Sequence, residues 1–141
     1  MAYVFKKYDD SKKEKGAWVN IDGGRFKIAS ISTSAVERKN EEIRERNERE
    51  YGKSRPPLEV QIADDAEAIS EALLHDWEGI VAEDEAGEEV PVPFTRENAY
   101  ELLLNDDPLR KRILLESQNM ANYQRERVAK QAKKRRNTSS S

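Results

Sequence analysis

Few residues of this chain are of a type that does chemistry, and those few lack the partners that chemistry needs. His75 is the single histidine and the chain has no cysteine, so no second imidazole or thiolate completes a site around it. We expect His75 to be a surface or structural residue. The sequence Gly52-Lys53-Ser54 resembles the end of a phosphate-binding loop, but Asn47 stands where that loop requires its first glycine.

The acidic run from Glu83 to Glu89 is the other candidate ligand cluster. It lacks the alternating order of a calcium loop, because Ala82 would occupy the first ligand position. We therefore expect no catalytic residue, no metal site and no cofactor, and interpret the protein as one that is not an enzyme.

The charged residues are segregated along the sequence. Residues 59–107 carry sixteen acidic side chains and one basic side chain, whereas residues 108–141 carry ten basic and two acidic ones. This asymmetry indicates internal pairing, head-to-tail self-association or a polyanionic partner for the basic end. A basic end that is only solvated is the plainer alternative.

The composition predicts a small hydrophobic core. Of 141 residues, 36% are hydrophobic and 38% are charged, and the mean hydropathy is -0.97, so we expect the fold to be completed on a partner. The amino terminus lacks the apolar run of a signal peptide, and no stretch has the roughly eighteen apolar residues of a membrane span. We expect no membrane association.

The segment from Ala17 to Ile31 is predicted to form a β-hairpin. Two apolar runs flank Asp22-Gly23-Gly24, and such a sequence supplies the positive φ that a two-residue turn requires. Trp18 and Phe26 are expected to act as structural anchors that stack over neighbouring helices.

A helix is predicted from Ser34 to Tyr51, with a capping box at its start and Gly52 ending it. In its interior Ile43 is the only large apolar residue, and the remaining positions are spaced for ion pairs along the helix. Such pairs contribute little, so we expect this helix to lie on the surface as a contact arm. Ile43 and Tyr51 are its candidate partner contacts.

The next helix is predicted to extend to Trp77. Apolar residues recur every three or four positions up to this point, so the Trp77 side chain is expected on the buried face. Gly79 is expected to stop the helix by adopting the left-handed conformation. The stripe consists of Ile62, Ala66, Ile69, Leu73 and Trp77.

A short second hairpin is predicted across the acidic run, which would form its turn between Val81 and Val90. Thr95 is then expected to cap a helix, with Phe94 just before the cap and with Ala99 and Leu103 on the inner face. A last helix is predicted to begin at Asp107-Pro108, with Asp107 as its cap, and to carry apolar residues as far as Val128.

The stretch from Trp77 to Pro108 resembles the tail assembly chaperone families of long-tailed bacteriophages. The resemblance rests on Trp-x-Gly-Ile, the acidic loop, Pro-Phe-Thr-x-Glu-Asn-Ala and Leu-Leu-Leu before a proline. Gly16–Ile21 and Arg25–Ala29 resemble the amino-terminal hairpin of small phage proteins in that group. The matching structural positions are Trp77, Gly79, Phe94, Thr95, Ala99 and Leu103.

The resemblance implies a non-enzymatic factor that acts in the host bacterial cytoplasm during virion assembly. Such a factor coats the aggregation-prone, helical tape measure protein and helps recruit tail tube subunits. The family supplies no catalytic residues, so the six matching positions are expected to maintain the fold.

Together these elements predict an α+β fold that is mainly α-helical. An amino-terminal β-hairpin would pack on a small bundle of about four helices, with a short second hairpin. We expect a charged lead-in at residues 1–15, a single domain at 16–129 and a mobile basic tail at 130–141. The tail's candidate partner contacts are Lys130, Lys133, Lys134, Arg135 and Arg136.

Two other classes of protein remain open. One is a structural tail or neck component of the virion. The other is a nucleic-acid-binding protein that uses its basic tail, whose affinity would fall steeply with salt. Against the second, Tyr123 is the only aromatic residue near the basic run, and no base-reading module is recognisable.

Overall fold

The structure, a computed structural model, describes residues 1–125, which form the predicted α+β fold. Within these residues there are five α-helices and two antiparallel sheets. The predicted tail contacts from Lys130 to Arg136, and the predicted helix end at Val128, lie outside the described residues. The helices are α1 (Asp10–Lys15), α2 (Ser34–Tyr51), α3 (Leu58–Ala68), α4 (Arg96–Asn105) and α5 (Asp107–Gln118).

The first sheet has three strands in the order β1-β2-β3, formed by Ala17–Ile21, Gly24–Ile28 and Leu74–Glu78. The predicted first hairpin is confirmed. Ile21 pairs with Gly24 across Asp22 and Gly23, whose φ angles of 49° and 87° are those of a turn with two left-handed residues. The local sequence therefore encodes both strands and their register.

The prediction that Trp77 lies on a helix is wrong. α3 ends at Ala68, a wide π-turn occupies Ile69–Leu73, and the chain enters β3 with no intervening loop. Helical spacing persists up to Leu73, but the free edge of β2 then offers pairing partners to four of the next five residues. Tertiary pairing thus overrides the local periodicity.

β3 is irregular at His75. Leu74 pairs with Ile28 and Asp76 pairs with Lys27, so His75 is an extra residue that bulges out of the ladder. The bulge brings Trp77 opposite Phe26 with its side chain buried. Gly79 has the predicted positive φ, at 75°, but it ends a strand and not a helix.

The predicted second hairpin is confirmed. It consists of β4 (Val81–Glu83) and β5 (Glu89–Pro91), and all six of these residues are exposed. The carboxylate of Asp84 accepts hydrogen bonds from the backbone N–H groups of Ala86 and Glu88, each at 2.9 Å. The turn is therefore ordered by its own side chain.

The helix caps lie within one residue of their predicted positions. Thr95 accepts from the N–H of Asn98 at 3.0 Å, as predicted. Thr33 and not Ser34 caps α2, and Asp106 and not Asp107 caps α5, because the residue just before each first turn has the extended or non-helical backbone of a cap. α5 ends at Gln118, and a short 3-10 turn follows at Met120–Tyr123, so the predicted continuous final helix is broken.

The charged lead-in contains ordered structure that the sequence reading did not anticipate. Tyr8 pairs with Gln124, the N–H of Asp9 donates to the carbonyl of Tyr123 at 2.7 Å, and α1 follows. The Tyr123 side chain is fully buried, and its hydroxyl donates to the carbonyl of Ile28 at 3.0 Å. The two ends of the described chain are thus joined beside one end of β2.

The main core lies between the three-stranded sheet and the helices α3, α4 and α5. Its largest fully buried apolar members include Ile28, Ile69, Leu103 and Ile113. Within residues 1–125, no helix combines the length and the apolar character that crossing a bilayer requires.

Candidate interaction surfaces

Three aromatic rings fix the base of the second hairpin. Trp77 meets Phe94 edge-on at 5.2 Å and Phe26 edge-on at 6.5 Å between ring centroids. Its indole N–H donates to the carbonyl of Val92 at 2.8 Å. These contacts leave the Trp77 side chain 5% exposed, so Trp77 and Phe26 are buried anchors as predicted, while Phe94 is half-buried.

The residues on which the phage resemblance rests continue from this base into α4. Ala99 and Leu103 are completely buried on its inner face, and Thr95 caps it from an exposed position. Gly79 lies between β3 and the hairpin, where an added Cβ would approach the Gly23 carbonyl at 3.5 Å. Four of the six matching positions, Trp77, Phe94, Ala99 and Leu103, therefore belong to one hydrophobic core.

The prediction that Trp18 is a core anchor is wrong. Alternate residues of β1 face inwards, beginning with Ala17 and ending with Ile21, so Trp18 lies on the outer face of the sheet and is 36% exposed. The guanidinium of Arg25 lies 4.7 Å from the centroid of its ring and also pairs with Glu78 at 2.7 Å. Trp18 is therefore part of a surface cluster.

α2 does not leave the body as a contact arm, and Ile43 is not free to bind a partner. Ile43 is 9% exposed and, like Val36, is buried on the inner face of α2. Tyr51, at the far end of the helix, is half-buried, and its role as a partner contact stays a prediction. The sequence predicts ion pairs within α2, but some of its basic residues pair instead with carboxylates that follow later in the chain.

Those partners form an ionic seam, which we define as Lys39 and Arg46 of α2 with Asp64, Glu67 and Glu71. Lys39 contacts Glu67 at 2.7 Å and also pairs with Glu71. Arg46 contacts Asp64 at 2.8 Å and Glu67 at 3.1 Å. Asp64 and Glu67 lie in α3 and Glu71 lies in the π-turn that follows it, and all three carboxylates meet the basic face of α2.

Burial and pairing act in opposite directions on the seam. Burial alone would lower the pKa of Lys39, but the hydrogen bonds and charges of Glu67 and Glu71 outweigh it and raise that pKa. Burial alone would raise the pKa of Glu67, but Lys39 and Arg46 outweigh it and lower that pKa. Both shifts mean that the charged forms are stabilised by folding.

Glu67 should make folding stability fall in acid. Its folded pKa lies below the 4.5 of an ordinary glutamate, so the unfolded chain takes up the proton first as the pH falls. Its contribution is complete above that value and is lost at lower pH, so we expect the urea midpoint to drop between about pH 5 and pH 3. Glu67→Gln should flatten this slope, whereas Glu37→Gln, at an exposed position, should keep it. Equal slopes in the two variants would contradict the assignment.

His75 is exposed on the β3 bulge. Partial burial of its ring is the largest cause that lowers the pKa of His75, and the positive charges of Lys27 and Arg96 lower that pKa further. In the part of the chain that the structure describes, no three histidine, aspartate or glutamate side chains are grouped as a metal site would require.

The hairpin of β4 and β5 is the most exposed ordered element. Val81 and Val90 are 49% and 46% exposed, and the connecting segment holds acidic side chains from Glu83 to Glu89. The ladder extends to its base, where the N–H of Val92 donates to the carbonyl of Ile80 at 2.8 Å. Within residues 1–125, no other element buries a strand residue of this two-stranded sheet.

A second exposed surface lies at the amino terminus, within the segment that was predicted to be a charged lead-in. Tyr3, Val4 and Phe5 are 81%, 72% and 91% exposed. The chain is held just after them, because the carbonyl of Lys7 accepts from the N–H of Arg125 at 2.9 Å. Three consecutive large apolar residues in so polar a chain were the signal that could have identified this segment.

The comparison with known proteins identifies the family. A family model described as YdaY prophage protein matches residues 29–134. No curated protein and no solved structure shows a significant match. The matched region runs from the residue after β2 to beyond α5 and includes the ionic seam, the hairpin and α4. Because it spans well over half of the sequence, this chain belongs to the YdaY prophage protein family.

Proposed function

We propose that the protein is a non-enzymatic phage tail assembly chaperone, which binds the tape measure protein and helps recruit tail tube subunits in the bacterial cytoplasm. Membership of a prophage protein family supports the phage setting. The assembly role is inferred from the resemblance of the segment from Trp77 to Pro108, four of whose six matching residues lie in one hydrophobic core.

The observation that carries the proposal is the exposed apolar segment Tyr3–Phe5. Each of its side chains is at least 72% exposed. Ordinary folded proteins leave single apolar residues in water, whereas a consecutive group of this kind marks a surface that a partner covers. An aggregation-prone helical protein offers the complementary apolar stripe, and covering both surfaces removes them from water.

The segment is well placed for this role. Pairing of Tyr8 with Gln124 anchors the chain directly behind it, so the apolar residues begin from a defined point on the body. Its short length limits the conformational entropy that is lost when it becomes ordered on a partner.

Co-expression with the tape measure protein of the same prophage is expected to raise the soluble yield of that protein several-fold. Val4→Ser combined with Phe5→Ser should abolish most of the increase. Leu58→Ser combined with Leu115→Ser changes two residues that are 71% and 62% exposed elsewhere, and should keep it. Soluble yield and co-purification of the pair are the measurements.

Equal solubility with and without this chain would refute the chaperone proposal. Stoichiometric amounts of the protein in purified virions would favour the alternative of a structural tail or neck component.

A further inference from the structure

The hairpin of β4 and β5 has two edges, and its register shows which backbone groups each edge presents. At its base the N–H of Val92 donates to the carbonyl of Ile80. Hydrogen-bonded pairs alternate with pairs that are not bonded, so Ala82 and Val90 form the next bonded pair. The remaining strand residues direct their backbone groups away from the hairpin. They are Val81 and Glu83 on β4, and Glu89 and Pro91 on β5.

The two edges differ in what they offer a further strand. On β5, Pro91 has no N–H, so that edge lacks one of its two outward donors, and proline is typical of protected strand edges. On β4, Val81 and Glu83 each present an N–H and a carbonyl, and within residues 1–125 these N–H groups have no acceptor. All strand residues of β4 are exposed. The β4 edge is therefore open to an added strand.

Charge on one face of the hairpin determines which kind of strand fits. Glu83 and Glu89 are register partners, so two carboxylates lie directly opposite each other, an arrangement that destabilises a sheet. Neither carboxylate forms an ion pair within the described residues. A cationic side chain beside Glu83 on an added strand would offset this repulsion. A second copy of β4 would instead bring a further glutamate to the same edge, so charge disfavours self-pairing.

The other face of the hairpin is apolar. Ala82 and Val90 lie on it, because successive strand residues point to opposite faces, and Ile80 and Val92 continue it towards the core. Val90 is 46% exposed. An added strand therefore meets carboxylates on one face and apolar side chains on the other, which calls for alternating basic and apolar residues.

We propose that the β4 edge binds an extended segment of another protein in which basic and apolar residues alternate, and that this segment becomes the third strand of the sheet. Its backbone pairs with Val81 and Glu83, its basic side chains face the glutamate pair, and its apolar side chains pack beside Ala82. The inference goes beyond the proposed chaperone role, because it uses a surface other than Tyr3–Phe5 and a partner segment that is extended and not helical.

The probe is a hexapeptide of alternating lysine and valine with blocked ends, titrated into the full chain at about 50 mM salt. We expect saturable binding. At saturation, hydrogen exchange of the Val81 and Glu83 N–H groups, followed by NMR, should slow about tenfold, while that of Glu89 should not change. A control peptide with its lysines in one block and its valines in another has the same charge without the alternation, and should bind about tenfold more weakly.

Two proline variants separate the edges. Glu83→Pro and Glu89→Pro remove the same carboxylate and the same kind of outward N–H from register partners, and neither removes a hydrogen bond of the ladder. Glu83→Pro should weaken peptide binding about tenfold or more, because the β4 edge loses a donor. Glu89→Pro should weaken it by no more than about threefold, through the lost charge. Since both positions are exposed, both variants should melt close to the wild-type temperature.

Reversing the charge of the glutamate pair tests the choice of partner. Glu83→Lys combined with Glu89→Lys should lose binding to the lysine–valine peptide. This double variant should bind a glutamate–valine peptide, which the wild type should not bind. Both interactions should weaken when the salt is raised to about 500 mM.

Several results would overturn the inference. Absence of binding at about 1 mM peptide is one. Equal binding of the alternating and block peptides would show attraction of charge without strand pairing. Equal losses in the two proline variants, or protection of Glu89 in place of Val81, would put the peptide elsewhere. Protection of Val81 and Glu83 in concentrated protein without peptide would show that a second copy occupies the edge.

Discussion

Replacing Trp77 by alanine is expected to lower the free energy of unfolding by about 3 to 5 kcal/mol. The change empties a site that is 95% shielded from solvent, removes edge-on contacts with Phe26 and Phe94, and leaves the carbonyl of Val92 without its indole donor. Against the 5–15 kcal/mol of a typical domain this is a large loss. Urea unfolding at neutral pH measures it.

Trp18→Ala is the matched control, since it removes the same side chain from the outer face of the same sheet. At 36% exposure and with a single cation–π partner, it should cost at most about 1 kcal/mol. Similar losses in the two variants would contradict the division into a buried anchor and a surface residue. An unchanged midpoint for Trp77→Ala would show that the aromatic base does not stabilise the fold.

Lys39→Met is expected to cost about 1 to 3 kcal/mol, although the residue lies in a helix that is otherwise highly polar. The Lys39 side chain is 13% exposed between the carboxylates of Glu67 and Glu71. Methionine keeps the apolar stem and removes the ammonium, so the two carboxylates lose their shared counter-charge. Thermal melting at neutral pH and low salt reports the difference.

Arg44→Met serves as the control on the same helix. Arg44 pairs with Glu41 and Glu48, and all three side chains are more than half exposed, so Arg44→Met should leave the melting temperature nearly unchanged. If both variants melt together, the seam is no stronger than ordinary surface pairing. In that case the burial of Val36 and Ile43 is the main attachment of α2.

The parts of the fold that could be predicted from the sequence are specified by interactions between neighbouring residues. Asp22-Gly23 specifies its turn because both residues tolerate positive φ, and Thr95 specifies a helix start because its hydroxyl reaches a backbone N–H. The acidic run ends one strand and begins another. Each of these signals acts within four residues, so no knowledge of distant contacts is required.

The predictions that proved wrong concern features that depend on contacts between distant parts of the chain. Trp77 fits a helical stripe as well as it fits a strand, and only the free edge of β2, some fifty residues earlier in the sequence, decides between them. The acidic face of α3 likewise determines whether the polar helix α2 projects or docks. Trp18 was placed by residue type, although the alternation along β1 already put it on the outer face.

The candidate surfaces show the same division. The hairpin could be located from its turn signals, but its exposure on both faces follows from what does not pack on it. The segment Tyr3–Phe5 was overlooked because the surrounding lysines dominate its composition. Exposure is a property of the whole fold, so a sequence pattern reports it only indirectly.

The direct passage from the π-turn Ile69–Leu73 into β3 places a limit on chain length. Where a loop joins two elements, an added or lost residue is absorbed locally. Here a lost residue would shift the strand by one position and turn Trp77 towards water, unless the bulge at His75 took up the change. We therefore expect the segment from α3 to Glu78 to tolerate few insertions or deletions. The acidic turn after Glu83 should tolerate them without a change in the core.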